Sequence, residues 1–293
     1  MSSFASCSPR RGRVTSKEQN WSRLARSVGD ELIDSIDAGY EALHGAVKFL
    51  KEDIGVAHVR LVPYAAQIVQ LAAFHLVVPT PTSEQRSVLM RWFWSTSFSG
   101  WFAGANTTTL KLTIEAMRKY ARGEIEAEEL PGYDQPALPY PIRFDLKSAR
   151  LRTLILWQLR GLGPLGLESD PVEVREQLAL HETRAWRYIF TRQLRGSDLK
   201  SDPANRILLP LDPRTSARQA IVDLDPARAD HARILASHFI TPEAHRALAE
   251  EEHERFVELR STAMMEGERA FIRELGLAVA DQERSEPGID ADP

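Results

Sequence analysis

The chain has 293 residues, of which 43% are hydrophobic and 27% charged, a balance typical of a globular protein rather than a disordered one. Its formal net charge of -4 gives no general attraction to nucleic acid or to anionic membranes, so any such binding must come from a local patch. The single cysteine, Cys7, excludes an intramolecular disulfide and a thiolate metal site, and fits a reducing compartment such as the cytoplasm. No run of 18 apolar residues is present, so we expect no contact with a membrane.

The N-terminal region divides into a basic tail and the first of several helices. Residues 1–26 hold six Lys/Arg against one acid without a helical period, which predicts a disordered tail. Apolar residues then recur at steps of three and four up to Gly55, which indicates one apolar stripe on a long helix. The stripe consists of Leu32, Ile36, Tyr40, Leu43, Val47, Leu50 and Ile54.

Three further helices complete a predicted helical bundle over residues 27–124. Residues 65–78 are apolar nearly all round, which favours a buried central helix. Thr82 and Gln85 form a capping box at the start of the third helix, and the Ser- and Gly-containing stretch 95–106 predicts an ordered loop. Asn106 is placed to cap the fourth helix.

A change of composition suggests a second lobe. Residues 125–146 are rich in Glu and Pro and predict a linker. Residues 147–278 again show helical periodicity, and the run from Asn205 to Pro210 is the one convincing strand candidate. The acidic end, 279–293, predicts a disordered tail. The expected fold class is therefore mainly α, a helical bundle lobe followed by a second helical lobe.

Several strings resemble the C-terminal two-thirds of GmrSD-type restriction endonucleases, over roughly residues 28–278. The strings are Leu61-Val-Pro-Tyr, Arg91-Trp-Phe-Trp-Ser-Thr-Ser-Phe-Ser-Gly100, Pro203-Ala-Asn-Arg-Ile-Leu-Leu209 and Leu235-Ala-Ser-His-Phe-Ile240, followed by Phe256, Arg260, Glu268 and Phe271. The family joins a ParB/sulfiredoxin-like nucleotide-hydrolysing domain to a helical region and an HNH-type nuclease, and cuts modified phage DNA. The resemblance implies a small ββα-type HNH-like insert in the second lobe.

This chain departs from the family pattern at the residues that would carry catalysis. The Asp-Gly-Gln-Gln-Arg signature of the family's N-terminal domain is absent. HNH chemistry needs a histidine base and an asparagine beside one divalent metal, Mg or Mn in an active site. Tyr188 stands where the family has its histidine, and a phenol is a poor base at neutral pH. Asn205 matches the family asparagine, and His181 is the candidate substitute base. Neither Asn nor His occurs at Arg214–Arg218, where the third motif residue is expected.

Two groups of side chains have alternative interpretations. The aromatic residues between Trp92 and Phe102 either stack on an exposed base or, as is more common for such clusters, form core. Residues 184–218 contain eight Lys/Arg against three acids, which fits either phosphate contacts or a solvated face paired with acidic helices. The candidate nucleic-acid-binding residues are Arg187, Arg192, Arg195, Arg206, Arg214 and Arg218.

These observations leave three functional hypotheses. The first is an accessory or catalytically degenerate member of the DNA-restriction family, which binds double-stranded DNA or a separately encoded ParB/sulfiredoxin-like NTPase protein. The second is an active metal-dependent HNH-type DNA endonuclease that uses His181 and Asn205. The third is a gene fragment that folds without activity.

Overall fold

The computed structural model describes residues 32–161, 163–191 and 199–280, and this part of the chain is mainly helical, as predicted. None of its helices is both long and apolar enough to cross a membrane. The predicted basic tail, 1–26, lies outside the described residues, as does most of the predicted acidic tail. The α-helices are α1 Leu32–Phe49, α2 Ala65–His75, α3 Ser83–Phe98, α4 Thr107–Ala121, α5 Ala149–Gln158, α6 Val174–His181, α7 Ala217–Val222, α8 Ala229–Ser237, α9 Pro242–Ala249 and α10 His253–Glu274.

The long first helix is confirmed, but its apolar stripe is divided between two faces. A π-helical turn, Leu50–Ile54, follows α1, and Gly55 ends it with a φ of 84°. This wider turn shifts the helical phase: Leu50 and Ile54 are buried, while Ile36, Tyr40, Leu43 and Val47 face outwards. Small residues such as Ala42 and Ala46 form the packed side of α1 instead.

Helix α3 contains the tryptophan-rich string, and its aromatic residues are core. Trp92, Phe93, Trp94 and Phe98 are each at most 1% exposed. The helix continues to Phe98, so the prediction of a loop from residue 95 was wrong at its start. The hydroxyls of Thr96 and Ser97 are satisfied inside the helix: the Ser97 Oγ, for example, donates to the Phe93 carbonyl at 2.7 Å.

Helix ends follow the caps read from the sequence. Thr82 and Gln85 form the predicted capping box, with the Gln85 amide donating to Thr82 Oγ1 at 3.2 Å. The Asn106 side chain accepts from the Thr109 amide at 2.9 Å at the start of α4. Local side-chain chemistry therefore sets these boundaries, as expected for N-caps.

The Pro-rich segment 125–146 packs on the core. Trp92 Nε1 donates to the Pro131 carbonyl at 3.0 Å, and Ser95 Oγ donates to the Gly132 carbonyl at 2.7 Å. At the other end of the chain, the Ala280 amide donates to the Ala137 carbonyl at 3.1 Å. The buried apolar residues before and after this segment form one continuous cluster.

The second half of the described chain is built around α10. Arg150 on α5 forms a two-pronged ion pair with Glu268, whose side chain is 3% exposed. A short antiparallel hairpin, β1 Arg187–Tyr188 and β2 Arg206–Ile207, lies against this helix. Arg260 joins the two, because its Nη1 donates to the Arg206 carbonyl at 2.8 Å. The HNH-like nature of this insert stays a prediction.

Candidate functional site

Asn205 fixes the geometry of the hairpin at the position where the resemblance implies a catalytic asparagine. Its Oδ1 accepts from the Phe190 amide at 2.8 Å, and its Nδ2 donates to the Phe190 carbonyl at 3.1 Å. The residue is 1% exposed. Both ends of the amide are thus bonded to backbone and closed off from solvent, so Asn205 holds the hairpin in this structure.

Tyr188 and Arg206 are direct cross-strand partners, and their side chains meet on one face of the hairpin. The Arg206 guanidinium lies 3.2 Å from the centroid of the Tyr188 ring and 4.9 Å from that of Phe144. Its Nη1 donates to the Trp186 carbonyl at 3.2 Å. The Tyr188 ring therefore makes a cation–π contact with the Arg206 guanidinium.

This face of the hairpin opens into a cavity of about 720 Å³. Its wall brings together residues from the 59–61 turn, the Pro-rich segment, α5, α6 and both strands. The lining residues are Arg60, Leu61, Phe144, Asp145, Leu146, Lys147, Arg152, Leu178, Glu182, Thr183, Arg184, Tyr188 and Arg206. Five of them are cationic and two are acidic, so the cavity carries an excess of positive charge although the whole chain is acidic.

Two half-buried guanidiniums of this wall, those of Arg152 and Arg206, have no carboxylate partner within the described residues. Arg152 donates to the carbonyls of Val62 at 2.9 Å and Lys147 at 3.5 Å, and Arg206 bonds only the Trp186 carbonyl. Burial lowers the pKa of both groups, and for each a nearby tyrosine opposes that shift. An arginine stays protonated at neutral pH in spite of such a shift. The wall therefore holds two desolvated positive charges that an anion would stabilise.

The rim of the cavity contains an exposed ion pair and a strained residue. Arg60 Nη1 lies 3.5 Å from Glu182 Oε1, and their side chains are 61% and 66% exposed. Such an exposed pair contributes little to stability and yields readily to a competing anion. Glu182 adopts a φ of 49°, which is rare for a residue with a side chain and costs on the order of 1–3 kcal/mol.

His181, the candidate base, is exposed at the end of α6, next to Glu182 but not in the cavity wall. Among the described residues, no group of three or more His, Cys, Asp or Glu side chains is placed to hold a metal ion. The structure thus does not bring His181 and Asn205 together in one solvent-accessible centre.

The predicted arginine patch is dispersed. Arg206 lines the cavity, while Arg192 and Arg195 lie outside the described residues. Arg187 donates to the carbonyls of residues 211, 212 and 215, and Arg218 forms a 2.8 Å ion pair with Glu251. Arg214 is exposed on the loop between β2 and α7. Arg187 and Arg218 are therefore occupied with holding the fold.

Sequence reasoning missed three of the cavity's cations, Arg60, Lys147 and Arg152. Arg60 lies in the 59–61 turn, and Lys147 and Arg152 lie just before and in the first turns of α5, all more than 30 residues before the arginine-rich segment.

Comparison of the chain with protein-family models, with curated proteins and with solved structures gives no match. The resemblance to GmrSD-type proteins therefore stays a prediction from the sequence strings.

Proposed function

We propose that this chain is a cytoplasmic, non-catalytic or accessory member of the GmrSD-type DNA-restriction family, in which the hairpin cavity binds phosphate groups of double-stranded DNA. One observation carries the binding: the guanidiniums of Arg152 and Arg206 are desolvated in a cationic cavity without a carboxylate partner among the described residues. In this proposal a separately encoded ParB/sulfiredoxin-like protein supplies nucleotide hydrolysis.

The chemistry of the cavity favours binding over hydrolysis. Guanidiniums are suited to paired hydrogen bonds with phosphate oxygens, and phosphate contacts position a duplex without reading its sequence. Tyr188 holds Arg206 in place instead of acting as a base. In this proposal the cations of the cavity provide the affinity for DNA, and this binding does not require Mg or Mn.

The binding proposal is tested by measuring the affinity for a DNA duplex at several salt concentrations. The test variant removes three exposed cations of the cavity wall, Arg60→Ala, Lys147→Ala and Arg184→Ala. Each lost phosphate contact lowers the slope of log affinity against log salt by about 0.9, so we expect a decrease of about 2 to 3.

The matched control removes the same number and kind of charges elsewhere. Lys111, Arg246 and Arg269 are exposed and do not line the cavity. We expect their alanine variant to keep the wild-type slope within about one unit, because these residues lie outside the cavity. The change in net charge is the same as in the test variant, so a difference between the two slopes reports on the cavity itself. Equal slopes for the two triple variants would contradict phosphate contacts by Arg60, Lys147 and Arg184. An affinity of the wild-type chain that does not depend on salt would contradict phosphate contacts by Arg152 and Arg206 as well.

Catalysis is tested separately by incubating supercoiled plasmid with the wild-type chain and Mg²⁺ or Mn²⁺. We expect no nicking. Metal-dependent nicking that is lost in His181→Ala would replace the non-catalytic proposal with the endonuclease hypothesis.

A further inference from the structure

Helix α1 presents a continuous row of large apolar side chains on its exposed face. This row, the α1 seam, consists of Ile33, Ile36, Tyr40, Leu43 and Val47, which are between 44% and 71% exposed. At 100° per residue the five side chains fall within an arc of about 80°. Single exposed apolar residues are normal, but a contiguous row of this length marks an interaction surface.

The rest of the described chain leaves the seam free. Helix α1 packs through its other side, where Ala42, Ala46 and Phe49 are at most 5% exposed. Close packing there extends to Gly45, where an added Cβ would lie 2.9 Å from the ring of His75. The helix is therefore fixed on α2 in an orientation that directs the seam outwards.

We propose that the α1 seam pairs antiparallel with the same seam of a second copy of this chain. The central residues Ile36, Tyr40, Leu43 and Val47 are spaced by four, three and four positions, and this order is the same from either end. A two-fold axis between residues 41 and 42 then sets Ile36 against Val47 of the other copy, and Tyr40 against Leu43. Such a self-complementary contact is what a two-fold dimer requires, and the spacing is that of a coiled-coil seam.

The charges on α1 select the antiparallel direction. Its first half carries Asp34, Asp37 and Glu41, whereas its second half carries Lys48. The following turn carries Lys51 and Glu52, together with Asp53, which is paired with Arg86. All of these except Asp53 are solvent-exposed. An antiparallel pair places the acidic half of each helix beside the basic half of the other, while a parallel pair places like charges together. The charge pattern thus favours a second copy in one orientation.

The size of the contact predicts a reversible dimer. Eighteen residues of helix are about 27 Å long. A contact along one helix from each copy is smaller than the roughly 800 Å² per partner that a standard interface buries. We therefore expect a dissociation constant of about 1 to 100 µM, which depends weakly on salt.

Sedimentation of the full chain across that concentration range tests the seam. The wild-type chain should change from monomer to dimer, and Tyr40→Glu, at a position 69% exposed, should stay monomeric. The control is Leu112→Glu on α4, at a position 65% exposed, which should dimerise like the wild type. A wild-type chain that stays monomeric throughout, or equal weakening by the two glutamate variants, would overturn the proposal.

Disulfide trapping tests the direction. In a Cys7→Ser background, chains with Ile36→Cys are mixed with chains with Val47→Cys and oxidised. The antiparallel pair predicts the mixed disulfide as the main product, whereas disulfides between identical chains would overturn that arrangement. The inference does not rest on the cavity, so the triple variant of the cavity wall should dimerise normally.

Discussion

The structural role assigned to Asn205 leads to a strong prediction for Asn205→Ala. The substitution removes the 2.8 Å and 3.1 Å hydrogen bonds to the backbone of Phe190, and it leaves a buried N–H and a buried C=O without partners. Each unsatisfied buried group costs about 1–3 kcal/mol, so for two groups we expect the free energy of unfolding to fall by about 2–6 kcal/mol. Urea denaturation followed by circular dichroism measures this loss.

An exposed asparagine of similar local function provides the comparison. Asn106→Ala removes the cap of α4, in which the Thr109 amide is bonded at 2.9 Å, and typically costs about 1 kcal/mol because water replaces the cap. If Asn205→Ala were no more destabilising than Asn106→Ala, the hairpin would not depend on this amide. That result would contradict the structural role assigned to Asn205.

Three other predictions concern buried groups. Arg260→Met leaves three backbone carbonyls without their donor, and we expect a loss of about 2–4 kcal/mol in the same urea assay. Burial lowers the pKa of His238 to about 4. On acidification, this imidazole therefore takes up a proton at a higher pH in the unfolded chain than in the folded chain. Stability should therefore be constant above about pH 6.5 and fall by about 2 kcal/mol by pH 5, a loss that His238→Gln should largely remove. Gly132→Ala should cost more than 1 kcal/mol, since φ is 82° and the new Cβ would lie 2.7 Å from the Thr96 methyl group; thermal unfolding measures it.

The sequence predicts those parts of the fold that local chemistry determines. Helix periodicity, the Thr82 capping box and the Asn106 cap each depend on residues within a few positions of one another. The start of the 95–106 loop was predicted wrongly because serine and threonine favour loops in water. In α3 the hydroxyls of Thr96 and Ser97 donate instead to the carbonyl four residues back, which makes these residues compatible with a buried helix.

The cavity could not be predicted in the same way. Arg60, Arg152 and Arg206 are more than 50 residues apart in sequence, and only the packing of α5 and the hairpin brings them to one wall. Counting charges along the chain made Arg187 and Arg218 candidate phosphate-binding residues on the same footing as Arg206. In the structure, however, Arg187 bonds the 211–215 loop and Arg218 pairs with Glu251. An arginine is available to an anion only if its guanidinium is not already bonded to other groups of the protein. The spacing of arginines in the sequence does not show these partners.

In the hairpin, the side chains that hold the strands differ from the side chains that face the cavity. Arg260 and Asn205 hold the strands through backbone atoms, so the scaffold tolerates a change of side chain at position 188. The Tyr188 ring presents its face to the cross-strand guanidinium of Arg206, and this contact fixes a cation on the side of the hairpin that opens into the cavity. A fixed cation repels a metal ion and attracts an anion, which supports the phosphate binding that we propose.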